Sequence, residues 1–166
     1  REKKINAMGT TMAMIAFENR SVHICNLGDS RIYEVSQGKL KQISRDHVLA
    51  GYMLGKSPLT QFLGIEEEDM KIEPAVKSFP YEDGKRYLLC SDGVTDMLSD
   101  PELEKILTAG MQPQQLREAS SYAASLANRA IREAAARAEE YLGMGTTLVS
   151  AVSYDGGAVI TNVGDS

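Results

Sequence analysis

Short apolar runs broken by turn residues fill the first two thirds of the chain, and one long helical period fills most of the rest. Residues 9–17 (GTTMAMIAF) and 21–27 (SVHICNL) are apolar and rich in strand formers. With Glu18, Asn19 and Arg20 between them they predict a β-hairpin, punctuated afterwards by Gly28, Asp29 and Ser30. Arg31–Val35 continues as a strand, Gln37 and Gly38 turn the chain, and Leu40–Ser44 pairs back. Residues 46–64 mix polar and apolar positions and suggest a short helix ending near Gly55, followed by the segment LTQFLG at 59–64. The acidic residues 66–69 read as a solvated loop.

Residues 70–79 alternate loosely up to a turn at Asp83-Gly84. Arg86–Cys90 has the character of a buried strand and runs directly into Ser91, Asp92 and Gly93. Ser99, Asp100, Pro101 and Glu102 form a capping-box signature with proline at the first helical position, predicting a helix to about Ala109 with Gly110 as its C-cap. From Pro113 to about Glu140 the period is helical: Leu116, Ala119, Ala123, Leu126, Ala130, Ala134 and Ala138 make one narrow apolar stripe. Small side chains in such a stripe suit close packing, the usual property of a scaffold helix.

The chain also repeats itself. Residues 144–166 (MGTTLVSAVSYDGGAVITNVGDS) align without a gap on residues 8–30 (MGTTMAMIAFENRSVHICNLGDS). Gly-Thr-Thr and Gly-Asp-Ser stand at the same separation in both copies, and Ile24/Ile160 and Asn26/Asn162 are shared between them. Asp165 is thus the second copy's equivalent of Asp29.

Composition narrows the functional classes. At 166 residues the chain suits one domain with a real core. A net charge of −5 and a pI near 5.1, with no basic cluster, argue against a nucleic-acid binder, whose affinity rests on cationic contacts to phosphate. No apolar run approaches the roughly 20 residues of a membrane span. The opening Arg1–Lys4 is too polar to begin a signal peptide, and the lack of an initiator Met suits a piece of something longer. Cys25 and Cys90 have no CxxC spacing and only His23 and His47 accompany them, so a structural zinc site is not expected. Both cysteines lie in apolar strand sequence, which suggests inert buried thiols in a cytoplasmic protein. Any bound metal must then use oxygen ligands.

Asp29 and Asp92 share one setting: each follows an apolar strand and stands beside glycine and serine. A carboxylate there projects from a rigid backbone into a cleft, and converging carboxylates make a site for Mg²⁺ or Mn²⁺, which prefer oxygen ligands and keep bound water. Gly-Asp and Asp-Gly are equally ordinary turn sequences. Other chemistries fail: no phosphate loop or dinucleotide fingerprint follows a strand, and Ser91 lacks a Gly-x-Ser-x-Gly elbow. Asp46-His47 reads as a structural pair in a loop, and His23 as a sheet-surface residue.

Taken in order, MGTT…LGDSRIY, ISRDH, LTQFLG and LLCSDGVTDMLSD resemble the type 2C family of metal-dependent protein serine/threonine phosphatases. The resemblance covers residues 8–110 in family order, while residues 118–166 resemble an earlier part of the same domain. It implies an α+β fold, an αββα sandwich of two antiparallel sheets flanked by helices, here incomplete or rearranged. It implies hydrolysis of phosphoserine and phosphothreonine on proteins by metal-activated water, with Mn²⁺ or Mg²⁺ as cofactor. Asp92 is then a ligand of the core metal cluster, Asp29 holds an additional, looser metal, and Ser30 and Arg31 order the loop.

The resemblance has gaps. The family's early Asp-Gly and Glu-Asp elements and its late Asp-Asn element have no counterpart here. The stretch from Asp46-His47 to Leu59 is shorter than the family's usual flap. Three readings stand beside one another: a fragment or rearranged piece of a phosphatase, a tandem or permuted product whose repeated hairpin joins copies of the chain into a homo-oligomer, and a phosphatase-like domain without catalysis that serves regulation or interaction. On all of them residues 1–110 are the central and late part of a phosphatase domain and residues 111–166 a helix plus the repeated hairpin.

Overall fold

The computed structural model describes residues 9–53, 56–65, 68, 70–109, 113–136, 148–154 and 157–163. In chain order the elements are β1 (Met12–Glu18), β2 (Ser21–Leu27), β3 (Arg31–Ser36), β4 (Lys39–Gln42), β5 (Ala75–Pro80), β6 (Arg86–Cys90), α1 (Asp92–Thr95), α2 (Asp100–Thr108), α3 (Pro113–Ala135), β7 (Leu148–Tyr154) and β8 (Gly157–Val163). The fold is α+β, with one sheet of order β1-β2-β5 and another of order β4-β3-β6-β7-β8. The chain divides into two compact units, residues 1–32 with 43–82 and residues 33–42 with 83–166.

In the first unit the predicted hairpin forms with a two-residue loop. Asn19 and Arg20 take positive φ angles of 47° and 61°, as a type I′ turn requires. The strands pair antiparallel from Met12↔Leu27 to Glu18↔Ser21. The first strand starts at Met12, not at Gly9 as the apolar run suggests. Thr10 is drawn away by Leu63: each backbone N–H donates to the other's carbonyl, at 3.0 and 2.8 Å. On its other side β2 pairs antiparallel with β5, from Asn26↔Ala75 to Ser21↔Pro80. On β2, Val22, Ile24, Asn26 and Leu27 are buried while Ser21, His23 and Cys25 are half-buried, as alternation between a covered and an open face requires.

The expected helix before Gly55 does not form among the described residues, and Gly55 itself lies outside them. Instead Val48 bridges Leu59, with Leu49 donating to the Pro58 carbonyl at 3.0 Å and Thr60 to that of His47 at 2.8 Å. Gly51 turns between these arms at φ +75°, a left-handed conformation that interrupts any helix.

The second unit is built on the larger sheet. The two-residue turn at Gln37 and Gly38, with φ of 51° and 71°, joins β3 to β4 as the sequence predicts. The core comprises Tyr33, Val35, Leu88, Cys90, Val94, Leu103, Leu107, Leu148, Val152 and Val159. Tyr33 is wholly buried, yet its hydroxyl donates to Asp100 Oδ1 at 2.8 Å, so its polar end is satisfied. The helix α2 faces β4: the Leu40 N–H donates to Glu104 Oε2 at 2.8 Å. Arg86 Nη2 donates to the Leu107 carbonyl, satisfying one of the last acceptors of α2.

At the start of α2 the Glu102 carboxylate accepts from the Ser99 N–H at 2.8 Å and the Ser99 hydroxyl at 2.7 Å. These two bonds hold the Glu102 carboxyl below its ordinary range, the Ser99 hydroxyl contributing most. A lowered pKa means the unfolded chain binds the proton more tightly. The stabilisation is therefore present above the ordinary value of 4.5 and is lost as pH falls through the folded one. Glu102→Gln is expected to flatten the decline of the urea midpoint between neutral and acidic pH relative to the parent, measured by circular dichroism.

The sequence repeat is also a structural one. The strands β7 and β8 pair antiparallel from Leu148↔Val163 to Tyr154↔Gly157, the same register as the corresponding residues of β1 and β2. The neighbours differ. In the first copy the second strand meets another strand, β5; in the second copy the first strand, β7, pairs with β6 through Leu88↔Val152 and Cys90↔Ser150. The last strand of the sheet as described is thus β8, with Ile160 73% exposed where Ile24 is 2% exposed. The helix α3 runs from Pro113 to Ala135, and the side chains of its predicted apolar stripe lie outside the described residues, as do Gly110 and residues 137–140. No helix among the described residues is long and apolar enough to cross a membrane.

Candidate metal site

Asp29 sits half-buried in the turn between β2 and β3, in the first unit. Its neighbour Gly28 has φ +94°, and a Cβ there would lie 2.3 Å from Thr11 Cγ2. Glycine is required at that position twice over, by backbone angle and by space. On the other flank the Ser30 and Thr11 hydroxyls share a hydrogen bond of 2.7 Å.

The segment 43–47 fastens this turn from below by a series of paired bonds. Asn26, wholly buried, uses both ends of its amide on Arg45: Nδ2 donates to the carbonyl at 2.6 Å and Oδ1 accepts from the N–H at 3.2 Å. The Gly28 N–H donates to His47 Nδ1 at 3.1 Å, and the His47 N–H donates back to the Gly28 carbonyl at 3.0 Å. Arg31 grips the Asp46 carboxylate, Nη2 to Oδ2 at 2.7 Å and Nε to Oδ2 at 2.9 Å. The Ile32 N–H donates to Ser44 Oγ at 2.9 Å. Residues on both sides of Asp29 are therefore fixed, while its own carboxylate is carried on the turn.

Asp92 lies in the second unit, where β6 ends and the single helical turn α1 begins. Ser91 precedes it in extended conformation, φ −75° and ψ 168°, and its N–H donates to the Val149 carbonyl at 3.1 Å. The Asp96 N–H returns to the Asp92 carbonyl at 2.7 Å. Gly93 and Val94, which follow it, are buried, and the half-buried Asp92 stands at an anchored strand end. Asp165 lies outside the described residues.

The donor chemistry fits a hard cation. Each carboxylate is hard, half-buried and carried by a fixed backbone, and Mg²⁺ in particular is commonly held by one or two carboxylates with water filling the remaining positions. Among the described residues no group of three or more His, Cys, Asp or Glu side chains is placed to hold a metal.

The remaining candidates are structural. His23 Nδ1 and the Ser78 hydroxyl are 2.8 Å apart across the β2–β5 pair, a sheet-surface contact. Cys90 is buried and Cys25 only half-buried, so the expectation of two buried thiols holds for one. The paired bonds of Asn26 and His47 were not foreseen in the sequence. The available signal was Asn26, a polar residue on the inward face of an otherwise apolar strand, which must find partners.

The sequence profile of the protein phosphatase 2C family matches residues 1–128. The chain belongs to the protein phosphatase 2C family. Among its relatives is the serine/threonine phosphatase Stp of Listeria monocytogenes, 33% identical over 120 residues, covering 64% of this chain and 46% of the relative. The crystal structure of the Mycobacterium tuberculosis serine/threonine phosphatase PstP aligns with a TM-score of 0.60 at 29% identity, covering 74% of this chain and 55% of that one. A structure of the PstP catalytic domain in complex with 2 manganese ions aligns with a TM-score of 0.57 at 28% identity, covering 74% and 53%. The chain spans about half the length of the relatives it matches.

Proposed function

We propose that the chain forms part of a protein serine/threonine phosphatase that uses Mn²⁺ or Mg²⁺ to hydrolyse phosphoserine and phosphothreonine on proteins. The supporting observation is the placement of Asp29 and Asp92 on fixed strand-end turns, in a chain of a phosphatase family one of whose structures is described with manganese. Asp92 would hold the core metal and Asp29 a looser one, with Asp165 as the second copy's counterpart of Asp29. Such an ion, when bound, makes water more acidic and neutralises phosphate oxygens, so no nucleophilic cysteine or serine is required. Residues 1–110 would supply the central and late part of the domain, and residues 111–166 the helix and repeated hairpin. The exposed Ile160 and Val163 of β8 support contact between copies through that hairpin. Cys25 and Cys90, neither of them in a disulfide, suit a cytoplasmic setting.

Titration of Mn²⁺ into the metal-stripped chain by calorimetry tests this reading. Saturable binding is expected, weakened at least about tenfold in Asp92→Asn, as loss of a charged ligand requires. Metal-dependent hydrolysis of an aryl phosphate should fall with it. Absence of saturable binding, or an unchanged affinity in Asp92→Asn, would favour a catalytically inactive, phosphatase-like interaction module.

A further inference from the structure

We propose that His47 is a positioning residue for Asp29: it holds Gly28 from both sides of the peptide and so sets the direction in which the neighbouring carboxylate leaves the turn. The clamp is reciprocal. His47 Nδ1 accepts the Gly28 N–H at 3.1 Å, and the His47 N–H donates to the Gly28 carbonyl at 3.0 Å. Because Nδ1 is the acceptor, the ring hydrogen sits on Nε2. His47 is 9% exposed and the bond is buried, so water competes poorly for it.

The geometry makes the contact specific to the turn. Gly28 holds a left-handed φ of +94°, a conformation that leaves its N–H outside the ladder between β1 and β2, whose last pair is Met12↔Leu27. A buried N–H without an acceptor is costly, and here the acceptor is a side chain from a segment distant in sequence. Asp46, one residue before His47, is gripped by Arg31, two residues beyond Asp29. The same short segment therefore pins the residue before Asp29 through His47 and the strand after it through Asp46. Groups that orient a ligand from behind commonly tune a metal site without touching the ion. The metal aspect of this inference rests on Asp29 being a ligand; the positioning does not.

The test uses the full chain at fixed neutral pH, with His47→Leu and His47→Ala to remove the acceptor and His47→Asn to keep an oxygen near the Nδ1 position. Hydrogen exchange at the Gly28 amide should accelerate at least about tenfold in the first two variants relative to Ile24 in β2, and return toward the parent rate in His47→Asn. The carboxyl ¹³C resonance of Asp29 should move in the first two and not in the third. Unchanged exchange and an unmoved Asp29 resonance in both acceptor-less variants would overturn the proposal, as would a His47→Asn variant that behaves like His47→Leu. Should His47→Leu not fold, the contrast between Ala and Asn decides alone. In a separate arm, the weaker of the Mn²⁺ binding events should lose about 10-fold or more in affinity in His47→Ala and disappear in Asp29→Asn, while the binding that depends on Asp92 persists. A weaker Mn²⁺ binding event that survives unchanged in Asp29→Asn would remove Asp29 from the metal site, while the amide and carboxyl signals would still decide what His47 does.

Discussion

Gly28→Ala is expected to destabilise the chain by about 2–4 kcal/mol, combining a left-handed backbone angle with overpacking against a neighbour. The angle is φ +94°, and the added Cβ would meet Thr11 Cγ2 at 2.3 Å and Thr11 Cβ at 2.7 Å. Those atoms are the near end of a β-branched side chain, so they cannot swing aside. Nor can the turn retreat, because the Thr11 hydroxyl is bonded to Ser30 and the Gly28 peptide is bonded on both sides to His47. Thr11→Ser keeps the hydroxyl and removes the methyl. The double variant should recover at least about 0.5 kcal/mol more than the two single changes sum to, as coupled neighbours do. Urea midpoints by circular dichroism give the comparison. A Gly28→Ala variant within about 0.5 kcal/mol of the parent would show that the turn relaxes freely, an outcome typical of unconstrained surface positions.

The parts of this fold that could be read from the sequence are those set by local chemistry. Arg86–Cys90 is apolar enough to be a buried strand on any reading, Gln37-Gly38 is a turn, and Ser99–Glu102 carries its own helix start. The hairpin repeat is legible because the residues themselves recur. What could not be read is pairing at a distance. Nothing near Thr10 says that Leu63 will take its backbone bonds, and nothing in residues 46–53 says that Pro58–Thr60 will pair with them instead of leaving them to form a helix. The candidate site divides in the same way. Asp29 and Asp92 stand out as carboxylates at strand ends, because strand, glycine and aspartate are neighbours in the sequence. The fixing of the Asp29 turn by Asp46 and His47 depends on a segment some fifteen or more residues away, and a local reading has no access to it.

The two hairpins provide a direct measure of how far environment outweighs sequence. Ile24 and Ile160 occupy equivalent positions in the same register, across from Ile15 and Ala151. Ile24 is 2% exposed and Ile160 73% exposed because the two hairpins have opposite faces covered: on β8 it is Val159, the counterpart of the half-buried His23, that is buried. Ile24→Ala should therefore cost about 2–4 kcal/mol, the loss of buried methyl groups plus a cavity. Ile160→Ala should stay within about 0.5 kcal/mol of the parent, as surface changes do. The shared asparagines should part in the same way. Asn26→Ala removes the buried amide that serves the Arg45 carbonyl and N–H through two part-buried bonds, at about 1–3 kcal/mol, while Asn162 is exposed. Urea titrations of the four variants, repeated across a range of protein concentrations, separate the explanations. Equal losses at positions 24 and 160 at every concentration would mean that exposure does not govern these residues. A loss at Ile160 that appears only as the protein is concentrated would mean that copies of the chain bury β8 against one another.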